Sequence, residues 1–382
     1  MDRRDFLRGL AASAGLTLLP FPARAAGEYG RLLVLVELKG GNDGLNTVVP
    51  YADDRYYRLR PHLAVRRDEV LRLDERCGLH PALQPLLPLW QAGELALIQG
   101  LGYPEPNLSH FRSIEIWDTA SKSSEYLQTG WLARAFAAKP VPAGFAADGV
   151  LVGGTDLGPF FGGARAIALT NPEQFRRLAI LARPVGTGGH GALAHILKVE
   201  ADIALAASRL ARGPALRTAF PKGAFGNTVK TACEALAGGA GVAALRLSLA
   251  GFDTHQNQPG AHANLLRQLA EGLGALKAAL VELGRWDETL ILTYAEFGRR
   301  PRENQSKGTD HGTANVHFAL GGRVRGGLFG APPALDRLDG NGNLPFAVDF
   351  RSLYATALER WWGISAATVL GARYDALPIL KA

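Results

Sequence analysis

Apolar residues in this chain gather in short, dense runs, and amphipathic stretches separate the runs. Arg31–Leu38 (RLLVLVEL), Leu95–Gln99 (LALIQ), Gly241–Ala250 (GVAALRLSLA) and Leu290–Tyr294 (LILTY) are nearly continuous in apolar residues. That pattern predicts strands covered on both faces. A further run, Val316–Leu320, leads into Gly321-Gly322, and short strands are predicted at Gly149–Val152 and Ala164–Leu169. Helical spacing appears from Ser109 onward (Phe111, Ile114, Trp117). It recurs at Trp131–Ala138, Phe175–Leu181, Ala192–Ala211, Gly226–Leu236, Ala261–Leu283 and Arg351–Trp362. Leu79–Trp90, with three prolines, predicts a short helix, and Gly326–Gly330 reads as loop. Strands alternating with helices give an α/β fold with a mainly parallel sheet. Residues 139–222 read as an insertion over that sheet, because strand-end chemistry resumes after them. The chain from 26 to 382 is then a single domain.

Composition changes this picture at the N-terminus. Asp2-Arg3-Arg4-Asp5-Phe6-Leu7-Arg8 is a twin-arginine pattern, Gly9–Leu19 is apolar, and Ala23-Arg24-Ala25 is a small-x-small cleavage site. Residues 1–25 therefore read as an export signal, too short in its apolar part to span a bilayer. The expected partner is the twin-arginine translocation machinery, and the expected location is periplasmic or extracellular. The 382 residues carry a net +7, and no basic run exceeds two. With no aromatic-basic ladder either, nucleic acid is excluded as a partner. At 47% hydrophobic and 20% charged the chain can bury a large core. Cys77 and Cys233 could bridge outside the cytoplasm or remain two buried thiols.

The ionisable residues then fall at one kind of place. Asp43 follows the first strand in Lys39-Gly40-Gly41-Asn42-Asp43-Gly44, and Ser109 and His110 follow the second. Asp253 and His255 follow Gly241–Ala250, Glu296 follows Leu290–Tyr294, and Asp310-His311 precede Val316. Open α/β sheets place their sites at the carboxyl ends of strands. Asp253 and His255, two apart on extended chain, share a face and could reach one ion. Carboxylates and imidazoles together suit a divalent cation: zinc, manganese, magnesium or calcium. Local alternatives stay open. Asp43 suits an Asn-Asp-Gly turn, Asp310 and His311 suit a turn cap, and Glu296 could pair with Arg299 or Arg300. Ser109 is either an N-cap or a nucleophile in the field of a helix N-terminus. His195 reads as a helix-surface residue, and the glycines around His190 as a linker.

Several motifs in order resemble the bacterial family called domain of unknown function 1501. They are the twin-arginine signal, ELKGGNDGLNTVVPY (37–51), NLSHFRS (107–113), GFDTHQNQ (251–258), AEFGR…EN…GTDHG (295–312) and VDFRSLYATALE (348–359). That family is similar in turn to the alkaline phosphatase and sulfatase superfamily. The resemblance implies a central, mostly parallel sheet sandwiched by helices, with a metal site at the strand ends. It implies metal ligation by Asp43, Asp253, His255, Glu296, Asp310 and His311, and Ser109 as nucleophile. Phe297 stands where the superfamily pattern has an imidazole, which implies a single metal or a site without activity.

Two functional classes follow. The first is a metal-dependent hydrolase of an anionic phosphate or sulfate ester, with His110 or Arg299 steadying the anion and Asp310 orienting His311 from behind. The second is a non-catalytic binding or assembly protein of the envelope, with a degenerate metal site.

Overall fold

Leu32–Lys39 (β1) buries every side chain except that of Lys39. Its even-numbered residues Leu32, Val34, Val36 and Leu38 enter one hydrophobic cluster, while Leu33 and Leu35 enter another on the opposite face. This period of two on a strand covered from both sides explains the unbroken apolar run. The computed structural model describes residues 29–169, 213–239 and 241–381. The export signal, the predicted helices Phe175–Leu181 and Ala192–Ala211, and the glycine-rich linker lie outside them.

Eight further strands join β1: β2 (Leu95–Gly102), β3 (Phe145–Val152), β4 (Ala166–Leu169), β5 (Gly241–Ala250), β6 (Thr289–Tyr294), β7 (Asn315–Leu320), β8 (Gly327–Gly330) and β9 (Val348–Asp349). The order across the sheet is β8-β2-β7-β6-β1-β5-β3-β4, with β9 also pairing with β2. β1 lies parallel between β5 and β6, with Leu35 opposite Arg246 on one side and Leu292 on the other. Only β7 runs antiparallel to its neighbours. Its amino end therefore shares an edge with the carboxyl ends of the other strands, and the chain just before β7 arrives at that edge.

Helices cover both faces. Ala224–Ala237 and Gln258–Glu282 pack on the side of Leu32 and Val34. Helix α1 (His110–Thr119), Trp131–Ala138 and the helical stretch from Arg351 to Trp362 pack on the other. This is a mixed, mostly parallel sheet sandwiched by helices, as the alternation predicted.

Three expectations change. Gly327–Gly330 is a strand and not loop, paired with Ala96–Gln99; flanking glycines and only two apolar residues hide an edge strand from a pattern reading. The segment after Glu296 is not an open loop: Arg299–Glu303 pairs antiparallel with Thr309–His311 in a two-stranded ribbon. A run of charged residues gave no alternation to reveal it. Within the stretch read as an insertion, β3 and β4 belong to the sheet itself, β3 pairing with β5. Cys77 and Cys233 are free, buried thiols, and burial pushes both up to about 12. Among the described residues no helix is long and apolar enough to cross a membrane.

Candidate metal centre

The carboxyl edge brings four side chains to one point. His110 opens α1, Asp253 and His255 lie in the loop after β5, and His311 ends the ribbon before β7. His110 Nε2 lies 3.4 Å from Asp253 Oδ2, and His255 Nε2 lies 3.0 Å from Asp253 Oδ1. His311 Nε2 lies 3.3 Å from that same Oδ1 and 2.9 Å from His255 Nε2. Ligand atoms of His110, Asp253 and His311 all fall within 4.8 Å of one another.

The imidazoles are held with their Nε2 atoms inward. His311 Nδ1–H donates to the Leu108 carbonyl at 2.8 Å, and His110 Nδ1–H donates to Glu296 Oε1 at 2.7 Å. A carbonyl can only accept, so neutral His311 has only a lone pair at Nε2 to present to His255. A close pair of imidazole nitrogens beside a carboxylate is a donor set that suits a cation. Donors around a tetrahedral ion with bonds of about 2.05 Å lie roughly 3.3 Å apart; His255 and His311 Nε2 lie 3.0 and 3.3 Å from Asp253 Oδ1, and His110 Nε2 lies 3.4 Å from Asp253 Oδ2. The residues fit a divalent metal.

Electrostatics separate Asp253, His110 and His311. Burial acts to raise the Asp253 carboxyl, but the Arg299 guanidinium at 2.6 Å and the imidazoles around it bring it down to about 2. Asp253 is therefore an anion at any physiological pH. The hydrogen bond to Glu296 raises His110, whereas burial lowers His311.

Glu296, expected as a ligand, stands behind the cluster. Its carboxylate accepts from the Gly40 and Gly41 amides at 2.9 and 3.1 Å as well as from His110. Arg299 completes the clamp from the other side. Its Nε donates to Gly41 O at 2.8 Å, and its Nη2 donates to the carbonyls of Gly40 and Phe252 and to Asp253. Every nitrogen of this buried guanidinium makes a bond, because Nη1 donates to Thr309 O. Arg299 is therefore a fastener for three loops, with one N–H of Nη1 outside this set of bonds. The clamp explains the glycine pair: Gly40 and Gly41 have φ of +112° and +76°, and a Cβ on them would lie 2.4 Å from Asp253 N and 2.5 Å from the Phe297 ring.

Asp43 is not brought to the cluster. It is buried; its Oδ2 takes Arg60 at 2.6 Å and Gln258 at 2.5 Å, while Oδ1 caps the short helix Gly44–Thr47 through Asn46 N. Burial alone would raise its carboxyl, and Arg60 holds it below the usual range. Asp310 lies behind His255 and not behind His311: its Oδ1 is 3.5 Å from His255 Nδ1 and accepts from Asn304 at 3.1 Å. The Asn304 hydrogen bond leads in lowering its carboxyl. Ser109 is the N-cap of α1, but its hydroxyl makes no capping bond and the residue is exposed.

Three participants escaped the sequence reading, and a fourth, Phe297, has a role it did not give. Arg60 and Gln258 hold Asp43, Asn304 fixes Asp310, and Phe297 floors the site with its ring 4.9 Å from His110 and 4.4 Å from His311. No local motif marks the first three, and Phe297 reads only as a missing ligand until its ring contacts are seen.

A family model described as "Protein of unknown function (DUF1501)" matches residues 96–372. The chain belongs to the DUF1501 family. No curated protein matches it by sequence. Among solved structures, this DUF1501 chain is similar to a protein in the alkaline phosphatase superfamily from Vibrio parahaemolyticus, at 12% identity and a TM-score of 0.44 over 90% of this chain and 69% of that one. It is also similar to the lipoteichoic acid synthase LtaP from Listeria monocytogenes (11%, 0.40, 89% and 76%) and to the PsFucS1 sulfatase from Pseudoalteromonas sp. (11%, 0.41, 91% and 70%).

Proposed function

We propose that the chain is an exported, metal-dependent hydrolase of phosphate or sulfate esters. The observation that carries this reading is the convergence of His110, Asp253 and His311, with His255 3.0 Å from Asp253 and with two imidazoles held nitrogen-inward by Glu296 and the Leu108 carbonyl. A set of three nitrogens and one carboxylate favours zinc or manganese over magnesium or calcium. A divalent cation there would polarise an ester oxygen and lower the pKa of a bound water.

The chain's own groups do the rest. Asp253 stays anionic, held by Arg299, and supplies the fixed negative charge. Glu296 keeps the proton on His110 Nδ1 and leaves Nε2 facing the site. Ser109, next to His110 and with an uncommitted hydroxyl at the N-terminus of α1, is the nucleophile in this reading, and the free amides of the first helical turn face the anionic group. Twin-arginine export of residues 1–25 and maturation to a single domain from 26 onward rest on the signal pattern alone.

One observation favours the binding-protein alternative: Phe297, an apolar ring packed against His110 and His311, stands where a further ligand is expected. Turnover decides between the two. Protein loaded with zinc or manganese should hydrolyse p-nitrophenyl phosphate or p-nitrophenyl sulfate, and both Ser109→Ala and His311→Ala should abolish it. A metal-replete wild type that turns over neither ester, nor any of a broader ester panel, sinks the hydrolase reading in favour of the alternative.

A further inference from the structure

A cleft of about 400 Å3 is lined in part by Arg299, the residue that donates to Asp253. Its volume lies in the range of roughly 300–1,000 Å3 usual for small-molecule sites. The walls are apolar: Leu45 and Val48 after β1, Val316 at the start of β7, and the proline-containing segments 331–334 and 344–347. Four polar side chains interrupt them: Arg299 and Asn315, both bonded to backbone carbonyls, and Gln99 and Arg337. Deep in the cleft is Gln99 of β2, only 8% exposed, whose side-chain amide makes no hydrogen bond with any described residue. At the lip is Arg337, with its side chain 81% exposed and its nearest carboxylate, Asp336, 3.9 Å away.

Gln99 lines the cleft with its amide donor and acceptor both uncommitted to the described protein groups, so either can meet what occupies the cleft. Gln99 could pair with both a donor and an acceptor on a ligand. Arg337 adds an exposed cation to the lining, and most of the remaining surface is apolar.

We propose that this cleft binds a small two-ended acid: a carboxylate at Arg337, an apolar or aromatic middle, and a hydroxyl or carbonyl at Gln99. The site is separate from the metal cluster and does not depend on metal or hydrolysis. Arg299 is the wall they share, so a ligand here packs against the group that holds Asp253.

The test is isothermal titration of 4-hydroxyphenylacetate, with phenylacetate (no hydroxyl) and tyramine (amine for carboxylate) as comparison probes. The wild-type protein should bind 4-hydroxyphenylacetate saturably at one per chain, and phenylacetate at least tenfold more weakly. Gln99→Leu should erase the difference between the two acids. Arg337→Gln, an exposed change that leaves the fold intact, should weaken both acids severalfold, and His311→Ala should leave binding unchanged. Three results would overturn the proposal: no saturable binding to folded wild type, tyramine binding as tightly as the acid, or binding lost in His311→Ala yet unaffected by Gln99→Leu and Arg337→Gln. The last result would put the acid at the metal cluster.

Discussion

Replacing Arg60 tests whether Asp43 is structural. The Arg60 side chain is fully buried, and its guanidinium donates to four acceptors: Asp43 Oδ2 and Asn46 Oδ1 at 2.6 Å each, Pro301 O at 2.7 Å and Arg300 O at 3.0 Å. Arg60→Met keeps most of the volume but leaves Asp43 charged and buried without its cation. Breaking one side of a buried ion pair costs about 3–5 kcal/mol. Each carbonyl of the ribbon left without a donor adds about 1–3 kcal/mol if water cannot reach it. The variant should therefore lose at least about 3 kcal/mol, a large part of the margin of an ordinary domain. Arg60→Met/Asp43→Leu should recover much of that loss, since it removes the stranded charge, and the coupling of the cycle should exceed about 1 kcal/mol. The pH dependence has a definite sign. In the wild type, Asp43 has a folded pKa below its unfolded value, so its contribution is present above about pH 4 and fades as pH falls through the folded value. In Arg60→Met the main opposition to burial is gone and the Gln258 hydrogen bond remains, so the Asp43 pKa rises and the deficit relative to wild type shrinks in acid. Urea unfolding at pH 7 and at pH 4.5 reads both effects. An Arg60→Met protein with the wild-type midpoint, or a double variant no better than the single, would refute the structural role. Metal content must be unchanged in a folded Asp43→Asn variant, because the cluster does not use this carboxylate.

Two further predictions follow from the titrating groups. Glu296→Gln removes the charge that raises His110, so the His110 pKa should fall, and metal affinity should drop about 10- to 100-fold, as for other outer partners of a ligating imidazole; an unmoved imidazole resonance in an NMR titration would contradict this. Burial lowers His317 to about 3 and His262 and His80 to about 4, all below their unfolded value of 6.5. Their stabilisation is complete above about pH 6.5 and is lost as pH falls toward the folded values, so stability should decline between pH 6.5 and 4, with a shallower slope in His317→Phe; identical slopes would remove His317 as a contributor.

Much of the fold was legible because the sheet is buried on both faces. β1, β5 and β6 announce themselves as unbroken apolar runs, and the periodic leucines of Gln258–Glu282 give that helix. Elements without a buried face to mark them were not legible: the edge strand Gly327–Gly330 and the charged ribbon Arg299–His311. The site divided on similar lines. Asp253, His255 and His311 could be named because they follow or precede readable strands. Their roles relative to Asp43, Glu296 and Arg299 could not, since those depend on partners distant in sequence. Arg60 reaches Asp43 across 17 positions and Glu296 reaches His110 across 186. Nothing in Asn42-Asp43-Gly44 distinguishes a carboxylate that meets a cation from one that meets a guanidinium.

Metal content of the purified, natively matured protein, measured by elemental mass spectrometry with His311→Ala alongside, bears most directly on the central claim. One zinc or manganese per chain is expected in the wild type, retained in Asp43→Asn and lost in a folded His311→Ala. Metal absent from a folded wild type even after incubation with zinc and manganese, or present undiminished in His311→Ala, would contradict it.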